Sequence, residues 1–215
     1  MADQIYVVED HSVMRQGYAA IVDRESDLEI CGETGSAARA RQEIPEMEPD
    51  LAIIDLSLEE GNGLDLIKDL RAQSDHPKIL VVSMHDEALY AHRTLQAGAE
   101  GYLAKHESAK KVVDAIRQLL GGGMYFSEAV NEQMVLQYLT NDTDGGDLLS
   151  ELSDRELEVF EYIGRGLTTR EIAEELQLSP KTIGTYRGRI KEKLAVESNA
   201  RLRRRAVIWV EVAEV

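Results

Sequence analysis

A single cysteine, Cys31, occurs in 215 residues. One cysteine permits no intrachain disulfide and no cysteine-based metal centre, which points to a reducing compartment. Cys31 itself is expected to be a buried strand residue. No apolar run approaches the roughly 20 residues of a membrane-spanning helix. Nor does the N-terminal stretch read as a signal peptide. The expectation is a cytoplasmic protein with no membrane partner. There is no Gly-rich phosphate loop and no separate substrate-binding cap, so a conventional phosphatase or phosphotransferase enzyme is not expected. No internal repeat is found.

Positive charge is scarce overall, with a formal net charge of −16. That excludes a globally basic nucleic-acid binder, but the balance is uneven along the chain. Residues 1–148 carry 12 Lys and Arg against 28 Asp and Glu, whereas residues 149–215 carry 12 of each. Within the second part, Lys181 to Arg205 holds nine basic residues against Glu192 and Glu197. Local field, not net charge, is what a polyanion meets.

What the first half does contain is four short apolar runs, each followed by or ending on a polar residue. Ile5 to Val8 runs into Glu9 and Asp10, and Leu51 to Ile54 into Asp55. Ile79 to Val82 runs into Ser83, and Gly101 to Ala104 into Lys105. Short apolar runs between helical stretches read as parallel strands buried on both faces. Leu28–Glu33 reads as a further strand. Helical patterns cover Ser12 to Asp23, Ser36 to Met47, Leu64 to Gln73, Ala88 to Ala97 and Ser108 to Leu120. This alternation predicts a doubly wound parallel sheet.

Ligands of such sheets sit beyond the carboxyl ends of the strands. Three carboxylates, a hydroxyl and an ammonium should therefore converge on one pocket. Crowded carboxylates disfavour ionisation, and a hard divalent cation relieves that cost. Mg²⁺ takes one or two carboxylates and keeps several waters. Asp10, Asp55 and the carbonyl of Ser57 are the expected direct ligands, with the longer Glu9 acting through water. Asp55 is the expected nucleophile, because carboxylates can form aspartyl-phosphates. Lys105 would neutralise phosphoryl charge, and the Ser83 hydroxyl would hydrogen-bond a phosphoryl oxygen.

This spacing, with Gly63-Leu64 after the central Asp and Gly101-Tyr102-Leu103-Ala104-Lys105 near its end, resembles the receiver domain of two-component response regulators. The resemblance covers residues 3 to about 121. It implies that Glu9 and Asp10 bind metal, that Asp55 is phosphorylated by a partner histidine kinase, and that Ser83 and Lys105 read the phosphate. It also matches Tyr102 to an aromatic whose rotamer follows the hydroxyl. Met84 is bulkier than the residue usual there and is expected to restrict access. His85 is expected to be an exposed, inert imidazole beside the route of attacking water.

Gly121-Gly122-Gly123 stops the last receiver helix. A further helix is expected over Ser127 to Thr140, with Val130, Met134, Val135 and Leu139 apolar. The polar run Asn141 to Asp147 reads as a flexible linker. The chain thus divides into a (βα)5 flavodoxin-like domain at 1–123, a linker with one helix at 124–148, and an all-α four-helix domain at 149–215.

In that last part Ser153 with Glu156 and Thr168 with Glu171 have capping-box spacing, and Ser179-Pro180 starts a helix. Thr168 to Gln177, a short turn, then Ser179 to Leu194 is helix-turn-helix spacing. The second helix can enter a major groove of double-stranded DNA. Leu152 to Glu156, Arg170 to Ala173, Leu178 to Ile183 and Arg189 to Leu194 resemble the LuxR-type helix-turn-helix of NarL/FixJ response regulators. Where that family often places base-reading side chains, this chain has Gly184, Thr185 and Gly188. Lys181 and Thr185 are expected to read bases, Arg187, Arg189 and Lys193 to hold phosphates, and Thr182 and Tyr186 to complete the interface. On the last helix, Leu202, Ala206, Trp209 and Val210 either pack within their own domain or form the contact of a homodimer; the family implies the latter on phosphorylation.

Overall fold

In a computed structural model of the chain, residues 2–58, 61–85, 87–128, 130–131, 149 and 151–213 are described. The chain divides into two compact units, Met1–Leu136 and Gln137–Val215.

The apolar runs of the first unit become strands and the periodic stretches between them helices: β1 (Asp3–Val8), α1 (Ser12–Val22), β2 (Leu28–Thr34), α2 (Ala37–Met47), β3 (Leu51–Ile54), α3 (Gly63–Arg71), β4 (Lys78–Ser83), α4 (Glu87–Ala97), β5 (Gly101–Ala104) and α5 (Ala109–Leu120). The sheet has five strands in the order β2-β1-β3-β4-β5, every pairing parallel. Period-two alternation sends Ile5, Val7, Ile53, Leu80 and Val82 to one face, where Tyr18 and Val22 of α1 and Val112, Ile116 and Leu119 of α5 cover them. On the other face Tyr6, Val8, Ala52 and Ile54 are equally buried, and α2 packs over β1 and β2. Each such aliphatic residue contributes about 1.5–3 kcal/mol on burial, which is why the buried stretches of β1, β3, β4 and β5 are apolar.

Cys31 lies in β2 as expected but is only half-buried. The chain past Gly123 stays on the sheet edge. Tyr102 N–H donates to the Tyr125 carbonyl (2.8 Å) and Tyr125 N–H to that of Glu100 (3.0 Å). That pairing covers β5, an edge strand otherwise open to another chain. The helix expected from Ser127 is described only at its start, where Val130 is buried. Its remaining apolar positions, Met134, Val135 and Leu139, and the expected linker lie outside the described residues.

The second unit contains α6 (Asp154–Gly164), α7 (Thr169–Glu175), α8 (Pro180–Lys193) and α9 (Asn199–Ala213). Its helix starts follow the side chains that cap them. Both capping boxes form: the Ser153 and Thr168 hydroxyls accept from the N–H groups of Glu156 and Glu171, whose carboxylates accept from the cap N–H in return. Ser179 caps α8, with Pro180 in its first turn. Leu202, Ala206 and Val210 of α9 are buried, and Trp209 packs tilted against Phe160 of α6 at 5.5 Å. These residues therefore pack within their own unit. Gly164 permits the close crossing of α6 and α9, since a Cβ there would lie 2.5 Å from the Ala206 carbonyl oxygen. Among the described residues, no helix is long and apolar enough to cross a membrane.

Candidate phosphoacceptor pocket and nucleic-acid interface

Parallel pairing brings all carboxyl ends to one edge of the sheet, and the strand order reverses between β1 and β3, where such sheets open a crevice. Glu9 and Asp10 follow β1, Asp55 follows β3, Ser83 ends β4 and Lys105 follows β5. The Lys105 ammonium donates to Asp55 Oδ2 at 2.7 Å and to Glu9 Oε1 at 3.0 Å. Asp55 and Glu9 are each only 1 % exposed. Burial pushes the Asp55 carboxyl up to about 6, Lys105 opposing the rise and Glu9 adding to it. Burial disfavours the Lys105 ammonium, yet Asp55 and Glu9 outweigh it and hold that group above its ordinary range.

The strand end is also fixed from the helix side. A Cβ on Gly63 would stand 2.2 Å from the Asp55 carbonyl oxygen, so only glycine lets α3 start directly against the acceptor. Asn62 caps that helix, accepting from Leu64 N–H at 2.7 Å.

Among the described residues, one ammonium stands with three carboxylates in this pocket, leaving a net negative charge that suits a divalent cation. Ligand atoms of Glu9, Asp10, His11 and Asp55 all lie within 4.8 Å of one another. An oxygen-rich donor set of this kind fits a hard ion. His11 was not among the residues expected from sequence. Its ring Nδ1 stands 2.6 Å from Asp10 Oδ1, and its N–H donates to Glu9 Oε1 at 3.1 Å. Its only signal was adjacency to the acidic pair. Arg15, also unanticipated, donates to the Glu9 carbonyl at 2.6 Å and fixes the same turn.

Ser57 donates its N–H to Asp55 Oδ1 at 3.2 Å. Ser83 is fully buried, and its Oγ accepts from His85 N–H at 3.2 Å. Tyr102 is buried with its hydroxyl donating to the His85 carbonyl at 2.7 Å. His85 corrects the sequence expectation: it is 4 % exposed, not an exposed imidazole. Its Nε2 lies 3.0 Å from Ser57 Oγ and its ring stacks on Tyr90. An aromatic platform and a polar partner together outweigh hydration of the ring. Met84 beside it is largely exposed.

In the second unit α7 and α8 form the helix-turn-helix. Lys181, Gly184, Thr185, Gly188 and Arg189 are exposed on α8, while Ile183 and Ile190 face the core. Thr185 Oγ1 bonds back to the Lys181 carbonyl at 3.2 Å. Thr182 Oγ1 lies 2.8 Å from the capping Ser179 Oγ. Tyr186 and Arg187 are half-buried, and Arg187 donates to Thr169 Oγ1 of α7 at 3.3 Å.

Lys193, expected to hold a phosphate, has partners within its own unit. It donates to Glu156 Oε2 at 2.6 Å and to the Glu151 carbonyl at 2.9 Å. It thereby ties the end of α8 to the capping box of α6. Burial opposes ionisation of Glu156, but Lys193 and Ser153 outweigh it and hold the carboxyl below its ordinary range.

A doubly wound sheet with an acid–lysine pocket, in one chain with a capped helix-turn-helix, defines the response-regulator class. Residues 5–117 match the response regulator receiver domain, and residues 150–206 match the bacterial regulatory proteins of the luxR family. The chain belongs to the LuxR-family two-component response regulators, joining a receiver to a LuxR-type DNA-binding domain. It is 34% identical over 199 residues to a putative transcriptional regulator of Pseudomonas aeruginosa, covering 93% of this chain and 94% of that one. To the oxygen regulatory protein NreC of Staphylococcus aureus it is 30% identical over 204 residues, covering 93% and 94%. A LuxR-family response regulator from Aurantimonas is similar in structure, with TM-score 0.59 and 26% identity over 65% of this chain and 99% of that one. RcsB of Salmonella enterica, bound to promoter DNA in the presence of a phosphomimetic, shares the fold at TM-score 0.61 and 22% identity, covering 95% and 98%.

Proposed function

We propose that Asp55 accepts a phosphoryl group from a partner histidine kinase and that its occupancy controls homodimerisation and binding to promoter DNA. The observation that carries this reading is the convergence of Glu9, Asp10, Asp55 and Lys105 at the carboxyl edge of the sheet. In the transfer, an Asp55 carboxylate oxygen bonds to phosphorus as the donor's N–P bond breaks, and the leaving imidazole takes up a proton. Lys105 neutralises charge on the acyl phosphate, and Ser57 N–H orients the acceptor. The Ser83 hydroxyl turns to a phosphoryl oxygen and Tyr102 follows that movement. Asp10, Asp55 and the Ser57 carbonyl would hold Mg²⁺, with Glu9 acting through water. When bound, Mg²⁺ supplies the positive charge that transfer of a phosphoryl group requires.

The proposed bounds are 1–123 for the receiver and 149–215 for the DNA-binding domain, with 124–148 joining them. In that domain Lys181 and Thr185 read base edges, Thr182 and Tyr186 line the interface, and Arg187 and Arg189 hold phosphates. The test is capture of fragmented genomic DNA in Mg²⁺, with and without beryllofluoride, by wild type and Asp55→Asn. Discrete fragments enriched only with beryllofluoride and only by wild type are expected. Equal enrichment in all conditions would mean a constitutive transcription factor with a structural receiver, and none would remove DNA from the reading.

Lys193 is assigned to stability, not to phosphate. Lys193→Met is expected to cost the second unit about 1 kcal/mol, because Glu156 loses a partly exposed charged partner while keeping the Ser153 N–H, with the salt dependence of DNA binding unchanged. Arg189→Ala should keep stability and flatten the salt slope by about 0.9. The Glu156 contribution is present above the ordinary Glu range near ~4.3 and is lost as pH falls through the lower folded value. Lys193→Met should therefore show less acid destabilisation than wild type. A flattened salt slope in Lys193→Met would return this lysine to the DNA contacts.

A further inference from the structure

His85 stands where three segments of the receiver meet, and the phosphoryl chemistry does not use its ring. Its backbone holds the two sensing side chains: the N–H donates to Ser83 Oγ and the carbonyl accepts from the Tyr102 hydroxyl. Its side chain does something separate. Nε2 lies 3.0 Å from Ser57 Oγ on the loop after β3. The ring also stacks on Tyr90 of α4, with centroids 4.5 Å apart and planes 26° from parallel. Tyr90 is 1 % exposed, so neither ring is free to swing into solvent.

These contacts form a continuous path. Asp55 Oδ1 accepts from Ser57 N–H, Ser57 Oγ pairs with the His85 ring, and that ring lies on Tyr90. A hydrogen bond fixes one edge of the imidazole, and stacking fixes its plane. A shift of the Ser57 loop must therefore tilt or slide the imidazole. In a close-packed interior the neighbouring ring has to follow, because there is no void to absorb the displacement.

We propose that the His85 side chain is a positioning residue that couples the Asp55–Ser57 loop to α4, so that occupancy of the pocket is reported on that helix through the Tyr90 stack. This rests on the phosphoacceptor reading and adds a route to it. The route is distinct from the one through Ser83 and Tyr102, which engages only the backbone of His85. It also gives two separable requirements, the polar edge and the aromatic face.

Two variants separate them. His85→Phe keeps a ring for Tyr90 and loses the bond to Ser57; His85→Gln keeps a polar group for Ser57 and loses the stack. Hydrogen exchange of the α4 amides, residues 87–97, is measured on the full chain in Mg²⁺ with and without beryllofluoride, whose binding is followed independently by fluorine NMR. In wild type, beryllofluoride should change α4 exchange about fivefold or more, the lower end of ordinary coupling between sites. Both variants should still bind beryllofluoride, with the α4 response reduced to about twofold or less.

A full α4 response in either variant overturns the proposal. So does loss of beryllofluoride binding by a folded variant, since the ring would then serve the pocket itself. If one variant fails to fold by far-ultraviolet dichroism, the other decides. Wild type that binds beryllofluoride without any α4 response sinks the coupling alone. Wild type that does not bind it removes the phosphoacceptor reading, and this inference with it.

Discussion

Lys105→Met is expected to remove about 3–5 kcal/mol of receiver stability in magnesium-free buffer at neutral pH, the usual cost of breaking a buried ion pair from one side. Methionine fills nearly the same volume, so packing is largely kept and the loss is electrostatic. Glu9 and Asp55 stand buried on either side of the ammonium at 2.8 and 2.7 Å. Without it, Glu9 and Asp55 lose the ammonium that both contact in a buried site. The penalty should shrink as pH falls toward the wild-type Asp55 value of about 6, because Lys105 opposes the rise of that carboxyl and without it Asp55 binds a proton at a higher pH. Added Mg²⁺ should return part of the lost stability by replacing the missing charge, and more in the variant than in wild type. Urea unfolding followed by far-ultraviolet dichroism, in EDTA and in Mg²⁺, measures all three effects. A variant as stable as wild type in EDTA would remove Lys105 from the role of resident counter-ion.

Gly164→Ala should cost the DNA-binding unit about 3 kcal/mol, the upper part of the range for overpacking. The added Cβ would meet the Ala206 carbonyl oxygen at 2.5 Å and Val210 Cγ2 at 2.6 Å. The first of these is helix backbone, which cannot rotate aside as a side chain can, so α6 and α9 must move apart. Intrinsic helix propensity works the other way, but only weakly, since Gly164 ends α6 and the preference for alanine of about 1 kcal/mol belongs to helix interiors. The expected sign therefore depends on the contact winning. Trp209 is the chain's one tryptophan, and it packs on Phe160 across this interface. Its fluorescence reports the unit selectively. A raised unfolding midpoint would mean that the helices separate at little cost.

The receiver was legible because its chemistry sits at strand ends. A parallel strand buried on both faces must be apolar along its length, so the first polar residue after Val8 or Ile54 marks both the end of the strand and the rim of the pocket. The helix starts of the second unit were legible for a similar reason, since Ser153 and Thr168 advertise their caps through a glutamate three residues on. What escaped were residues whose role depends on neighbours distant in sequence. His85 looks polar and loop-bound, and nothing near it in sequence announces Ser57 behind it. Lys193 belongs to a basic helix by composition, and only the fold brings Glu156 to it. His11 is masked by standing next to two carboxylates that already explain the motif.

The pair of glycines on α8 has a consequence for how this regulator could change its address. Added β-carbons at Gly184 and Gly188 would meet nothing within 4 Å, so neither glycine is required by the fold. Both positions lie on the exposed side of the helix with Lys181 and Thr185. Larger residues there should be tolerated, and replacing each glycine should even strengthen the helix by about 1 kcal/mol. If α8 reads bases as proposed, the face is in that sense unwritten: two characters of its recognition alphabet are blank, and side chains added there should alter promoter preference without rebuilding the domain beneath.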